Sequence, residues 1–145
     1  MRGSVKDAVM LLGLAACSFT DIRTRTIPVL LPCFIAAAIV MIDAWKGSFH
    51  IYYCIAAVLA TLFFMGIAKL TKEAFGYGDC LLIGVIIECC GPVYGSSVVL
   101  TGFFICAAAA GAVMAVKRVP KTYEMPFVPF LCASYTIFFI GEMIL

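Results

Sequence analysis

Charge is what this sequence has least of. Charged residues are 12% of the 145, apolar residues 65%, and mean hydropathy is +1.15. A soluble domain carries about a quarter charged residues and roughly half apolar ones. Most of this chain is therefore solvated by lipid, not water. The net charge of +2 is too small for an electrostatic footprint on nucleic acid, and no nucleic-acid partner is expected. Histidine is nearly missing, with His50 alone. The cysteines are Cys17, Cys33, Cys54, Cys80, Cys89, Cys90, Cys106 and Cys132, and no two of them form a Cys-x-x-Cys pair. With a single histidine to complete a ligand set, no zinc site is expected. Most of the thiols lie inside apolar runs, where they pack as small hydrophobes. Their even number does not indicate a disulfide framework, because this is not a short secreted chain. Neither an internal repeat nor a low-complexity segment is present.

What is there is a series of apolar runs separated by polar breaks. Six spans are expected, roughly over Val5–Phe19, Val29–Ala44, Ile51–Leu70, Asp79–Cys90, Ser97–Val116 and Phe127–Leu145. In lipid each must be a helix, because an open strand edge would leave backbone groups unpaired. The expected fold is all-α: a polytopic integral membrane protein of about six transmembrane helices, with residues 1–145 forming one domain. The first run, behind Arg2 and Lys6, is similar to a signal peptide. Cys17-Ser18-Phe19-Thr20-Asp21 replaces the small-x-small cleavage site, so it is read as a retained span. The first and fourth runs fall short of the ~20 residues needed to cross the hydrocarbon. To cross, the first must take Thr20, Asp21 and Ile22 into its last turn. The fourth must reach from Gly78 through Gly91 towards Tyr94. Ala107–Ala110 with Gly111 reads as a close helix-packing face of small residues.

The breaks carry the positive charge. Arg23, Arg25, Lys69, Lys72, Lys117, Arg118 and Lys121 follow the odd-numbered spans, against Arg2, Lys6 and Lys46 on the other side. That bias places the odd loops in the cytoplasm and both termini outside. Asp21, ending span one, and Asp79, opening span four, then fall on the same face at the same depth.

Acids inside spans are costly and usually functional. Asp43, beside Trp45 and Lys46, reads as an interfacial charge. Glu88, about two turns beyond Asp79, reads as paired or snorkelling, and Glu142 as solvated. Asp21 and Asp79 are different because hydrolysis of a peptide needs a pair. One carboxylate takes a proton from water while the other polarises or protonates the carbonyl. Two carboxylates sharing a site push their proton affinities apart, giving one acid and one base. His50 is expected on the opposite side, which removes Ser/His and Cys/His alternatives. Gly76-Tyr77-Gly78-Asp79 leads into the second acid with two residues that lack a β-carbon, which suits close approach of a peptide. The same string is also compatible with a plain helix start in which Asp79 is the N-cap.

Three segments together resemble the type IV prepilin peptidase family of membrane aspartyl proteases. The first is Asp21-Ile22-Arg23-Thr24-Arg25-Thr26-Ile27-Pro28-Val29. The second is Gly76-Tyr77-Gly78-Asp79. The third is Pro126-Phe127-Val128-Pro129-Phe130, after a basic loop. The resemblance implies Asp21 and Asp79 as catalytic residues. It also implies supporting roles for Pro28, Gly76, Gly78, Pro126, Phe127, Pro129 and Phe130. Val29 departs from the family's usual Asn, and Leu81 from a common Lys, which points to altered substrate contacts or local packing. The implied reaction is endoproteolysis of the basic leader of a prepilin or pseudopilin at the cytoplasmic membrane face, after a glycine, with neither metal nor organic cofactor. The form resembled is the short, peptidase-only one of tight-adherence pili, without a methyltransferase portion. Two other readings stand beside it: a different Gly-x-Gly-Asp intramembrane protease, or a small transporter or scaffold in which the two acids cap helices or hold ions. A transporter would be expected to show symmetry between halves, and none is visible.

Overall fold

Every apolar run folds as a helix. The computed structural model describes residues 5–24, 27–71, 76–117 and 125–144, and among these no strand occurs. Six helices follow in chain order: α1 Val5–Thr24, α2 Leu30–Trp45, α3 Ile51–Leu70, α4 Tyr77–Cys90, α5 Pro92–Lys117 and α6 Val128–Ile144. Arg2, Arg25, Lys72, Arg118 and Lys121, which helped to set the expected orientation, lie outside the described residues.

α4 is the centre of the bundle. It is the shortest helix, at 14 residues, and buries both faces, including Leu82, Ile83, Ile86 and Ile87. An apolar helix with no polar side packs on every side, and α4 contacts α1, α2, α3 and α5. α6 closes the bundle between α1 and α5. α1 supplies one stripe to the core, Asp7–Met10–Leu14–Cys17–Asp21. The spacing of three and four residues keeps these on one face.

α3 and α5 lie outside. Their best apolar windows are only 11% and 17% buried, at a mean hydropathy of 2.2 each. Leu59, Leu62 and Phe63 of α3 and Leu100 and Phe104 of α5 face outward. Both helices are long and apolar enough to cross a membrane, and α2 and α6 are apolar but shorter.

The structure departs from the expected boundaries at three places. α1 does take Thr20 and Asp21 into its last turn, and runs on to Thr24. Thr20 and Thr24 extend it by folding their hydroxyls back onto the carbonyls of Cys17 and Thr20, at 2.8 and 2.7 Å. α4 does not reach Tyr94. It stops at Cys90 because Gly91 takes φ +85°, a left-handed conformation that glycine adopts without steric cost. α5 then begins at once at Pro92, five residues before the expected start. Proline suits a first helical position, where its missing N–H is not needed. The hydroxyls of Ser96 and Ser97 are absorbed by the carbonyls of Pro92 and Val93, so these polar residues do not break the helix.

The small-residue stretch of α5 is also corrected. Gly111 has nothing within 4 Å of the position its β-carbon would take, and Ala107 and Ala108 are exposed. Close packing occurs earlier in α5. A β-carbon on Gly95 would lie 2.8 Å from Ile87 Cα, and one on Gly102 would lie 3.0 Å from Leu131 Cδ1.

Candidate active site

One end of the bundle gathers the C-terminus of α1 and the N-termini of α4 and α6. Asp21 closes the buried stripe of α1 and is itself buried. Its Oδ2 accepts the backbone N–H of Val128, the first residue of α6, at 3.1 Å. The backbone N–H of Phe127 is a second donor to the same carboxylate. The contact spans 107 positions in sequence, and it uses donors that a helix start leaves without intrahelical partners.

Asp79 stands in the first turn of α4. The N-cap is Gly76, in an extended conformation and without a side-chain cap bond, so Asp79 is not the cap. Its carboxylate lies beside Gly76, where a β-carbon would come within 3.3 Å of Oδ2. Its Oδ1 is buried and has no hydrogen-bond partner among the described residues. Asp21 and Asp79 are close enough to interact electrostatically, and the thiol of Cys17, one turn before Asp21, senses both.

Gly78 lets the segment that follows α1 lie against the start of α4. A β-carbon there would lie 2.6 Å from Ile27 Cβ and 3.1 Å from the Ile27 carbonyl oxygen. The chain leaving α1 is thus pressed directly on the start of α4. Pro28 is exposed, and its carbonyl accepts the Leu31 N–H at 3.0 Å as α2 begins. Val29 is the N-cap of α2 and makes no side-chain cap bond. Its backbone is already helical, at φ −54° and ψ −27°. Leu81 lines a separate apolar groove of about 230 Å³ between α2, α3 and α4, with Pro32, Ala57, Thr61 and Glu88.

The third motif contributes through its backbone as well as its rings. Its two prolines do not prevent a regular helix start. α6 begins at Val128 with Pro129 in its first turn, where a missing N–H is tolerated. Phe127 is buried, and its ring lies 4.8 Å from that of Phe103, which in turn stacks on Phe64 at 6.0 Å. These rings link α6, α5 and α3 beside the acids. Pro126, Pro129 and Phe130 are half-buried.

The other candidates lie elsewhere. Asp43 pairs with Lys6 at 2.8 Å, and Glu88 accepts a bond from the Cys54 thiol at 3.7 Å. Glu142 is exposed near the end of α6. His50 precedes α3 at the opposite end of the bundle and holds the Ser48 carbonyl at 2.6 Å. Asp7, which the sequence did not single out, is buried and accepts the Tyr135 hydroxyl at 3.2 Å. Its signal was present: Asp7 and Asp21 begin and end the same stripe of α1. The eight cysteines are free thiols, and no cluster of three or more metal-ligating side chains occurs among the described residues.

The fold is a helical bundle with apolar outer helices, and at this end of it two carboxylates from different helices lie within electrostatic reach of each other beside a third helix start. Over residues 8–116 the chain matches the type IV leader peptidase family. The chain belongs to that family, and the class of activity that goes with it is proteolysis. The match covers α1 to nearly the end of α5 and stops before Pro126–Phe130. Comparison with curated proteins and with solved structures gave no match.

Proposed function

We propose that this protein is an aspartyl endopeptidase that removes the basic leader of a prepilin-type substrate, with Asp21 and Asp79 as its catalytic pair. The observation that carries this reading is the placement of these two acids within electrostatic reach of each other at one end of the bundle, one held by backbone donors and the other with a bare oxygen. Two unlike carboxylates in one partly dry site are what water activation requires. One takes a proton as water adds to the scissile carbonyl carbon. The other gives its proton to the carbonyl oxygen. The tetrahedral intermediate then collapses, the C–N bond breaks, and the new amine leaves with a proton returned from the pair.

All six helices are proposed to cross the bilayer, with the Asp21 and Asp79 end in the cytoplasm and both termini outside, as the positive charge bias requires. The substrate's apolar helix would then lie in the bilayer beside the enzyme, with its basic leader on the cytoplasmic side. Gly76 leaves the carboxylate of Asp79 without a β-carbon beside it, and Gly78 lets Ile27 pack against the start of α4. Pro126, Phe127, Pro129 and Phe130 set the start of α6 against Asp21, and Pro28 turns the chain from α1 into α2.

The test is incubation of the purified chain with a tagged prepilin, followed by sequencing of the new N-terminus. A new end directly after a glycine, just before the apolar helix, is expected. Asp21→Asn and Asp79→Asn should each nearly abolish it, and the double change should cost little more, because paired groups act as a unit. Full cleavage by either single variant would overturn the reading.

A further inference from the structure

We propose that the N-terminus of α6 selects Asp21 as the water-activating base: the backbone N–H of Val128, aided by that of Phe127, holds Asp21 as an anion and leaves Asp79 to carry the shared proton. This rests on the aspartyl-peptidase reading and goes beyond it by dividing the roles. Val128 is a positioning residue here, acting through its amide and not its side chain.

Asp79 sits in the first turn of α4 and Asp21 faces the start of α6, so each lies near the positive end of a helix dipole, while Asp21 is also carried on the last turn of α1, whose dipole opposes its charge. What favours charge on Asp21 is the donors. Val128 N–H is aimed at Asp21 Oδ2 at 3.1 Å in a buried setting. The neighbouring donors of α6 are otherwise engaged or missing. Pro129 has none, and the N–H groups of Phe130 and Leu131 both turn to the Phe127 carbonyl, at 3.1 and 3.2 Å. Prolines on either side thus leave residues 127 and 128 as the donors for the carboxylate. A hydrogen bond to a carboxylate favours its charged form. Asp79 Oδ1, buried with no partner, gains no such support, so a proton shared by the two is better placed on Asp79.

Few other charges compete. Among the described residues, the thiols of Cys17 on α1, Cys80 on α4 and Cys106 on α5 are the other titratable groups in electrostatic reach of the pair. Arg23, Lys69 and Lys117, at the same end of α1, α3 and α5, are exposed. Among the described residues, α2 and α6 bring no charged side chain to this end; Asp43 and Glu142 lie near their other ends.

The test removes one N–H at a time in the full-length enzyme, reconstituted in vesicles with a prepilin carrying a basic leader and an apolar helix. Val128→Pro deletes the donor at a position proline favours, and Val128→Ala trims the side chain while keeping the donor. A backbone ester at residue 128, made by incorporating the α-hydroxy analogue of valine, deletes the N–H and keeps the side chain. The expected result is an acid limb of the kcat profile moved up by about one pH unit in Val128→Pro and in the ester, with KM unchanged. Val128→Ala should keep the wild-type limb. In the same proteins, infrared titration should show the carboxylate band that Asp21→Asn deletes moving by the same amount, a readout independent of turnover. If Val128→Pro does not fold, the ester alone decides. An ester limb and band that coincide with wild type would overturn the proposal while the catalytic pair stands. Undiminished cleavage by Asp21→Asn would instead overturn the pair itself.

Discussion

Gly78→Ala tests whether the contact at the start of α4 sets the two acids against each other. The added β-carbon would meet Ile27 Cβ at 2.6 Å and the Ile27 carbonyl oxygen at 3.1 Å. Neither atom belongs to the flexible end of a side chain, so rotation about χ1 does not relieve the clash. Carbon atoms pack at about 3.5–4.0 Å, so the segment leaving α1 must retreat from α4 by roughly 1 Å. Overpacking of this kind costs about 1–3 kcal/mol. The loss of turnover should be larger than that stability change suggests, because a misplacement of about 1 Å between reacting groups can cost on the order of a hundredfold. Two measurements check this: the thermal midpoint in detergent, and kcat on a tagged prepilin below that midpoint. Gly76→Ala is the comparison, since among the described residues its β-carbon would meet the Asp79 carboxylate alone, 3.3 Å from Oδ2, and no backbone. Ile27→Gly in the Gly78→Ala background deletes the clashing Cβ and should restore part of the activity, a non-additive result expected only for residues in contact. Wild-type midpoint and turnover in Gly78→Ala would refute the argument, and with it the idea that this contact registers the dyad.

Other outcomes follow from the same geometry. The pH–rate profile should be bell-shaped, with its two limbs belonging to the pair and not to either acid, and a flat profile between about pH 4 and 9 would contradict two-carboxylate chemistry. Asp43→Asn and Glu88→Gln should keep most of the turnover, because their partners, Lys6 and Cys54, lie away from the dyad; loss of cleavage in either would place chemistry at the wrong end of the bundle. Tyr135→Phe removes one hydroxyl donor from buried Asp7, so unfolding should become easier by about 0.5–1.5 kcal/mol with cleavage intact, as read by chemical denaturation in micelles and by turnover. On a cysteine-free background in intact cells, an impermeant thiol probe should label position 46 and spare position 23; the reverse pattern would invert the proposed topology.

Much of the fold was legible because lipid simplifies the problem. α3 runs from Ile51 to Leu70, the bounds expected from hydrophobicity alone, since nothing inside that run competes with a helix. Boundaries were misjudged where polar or breaker residues satisfy themselves locally. Ser96 and Ser97 bond backwards within α5, so a stretch that reads as a loop is helix. The small residues of α5 misled for a related reason. Composition points to Ala107–Gly111, but the positions of α4 and α6 decide that Gly95 and Gly102 are the residues used. Asp21 and Asp79 could be paired from charge bias and helix parity, which need no coordinates. The Val128 amide could not, because a backbone N–H has no letter in the sequence and its target lies 107 residues away. Asp7 was missed for want of a pairing argument, although its place on the stripe of α1 was open to view.

The brevity of α4 has a consequence for how water reaches the bond to be cut. At about 1.5 Å per residue, its 14 residues span roughly 21 Å, against a hydrocarbon layer of ~30 Å. α3 and α5, with 20 and 26 residues, are long enough to pass through at roughly 30 and 39 Å. The bundle is therefore built around a central post about 9 Å too short for its walls. Gly91 packs on Tyr53 at the other end of the bundle, so in the proposed bilayer placement the shortfall falls at the Asp79 end and sets that acid below the ends of α3 and α5. We propose that the hydrolytic water and the scissile bond are both drawn down to that depth.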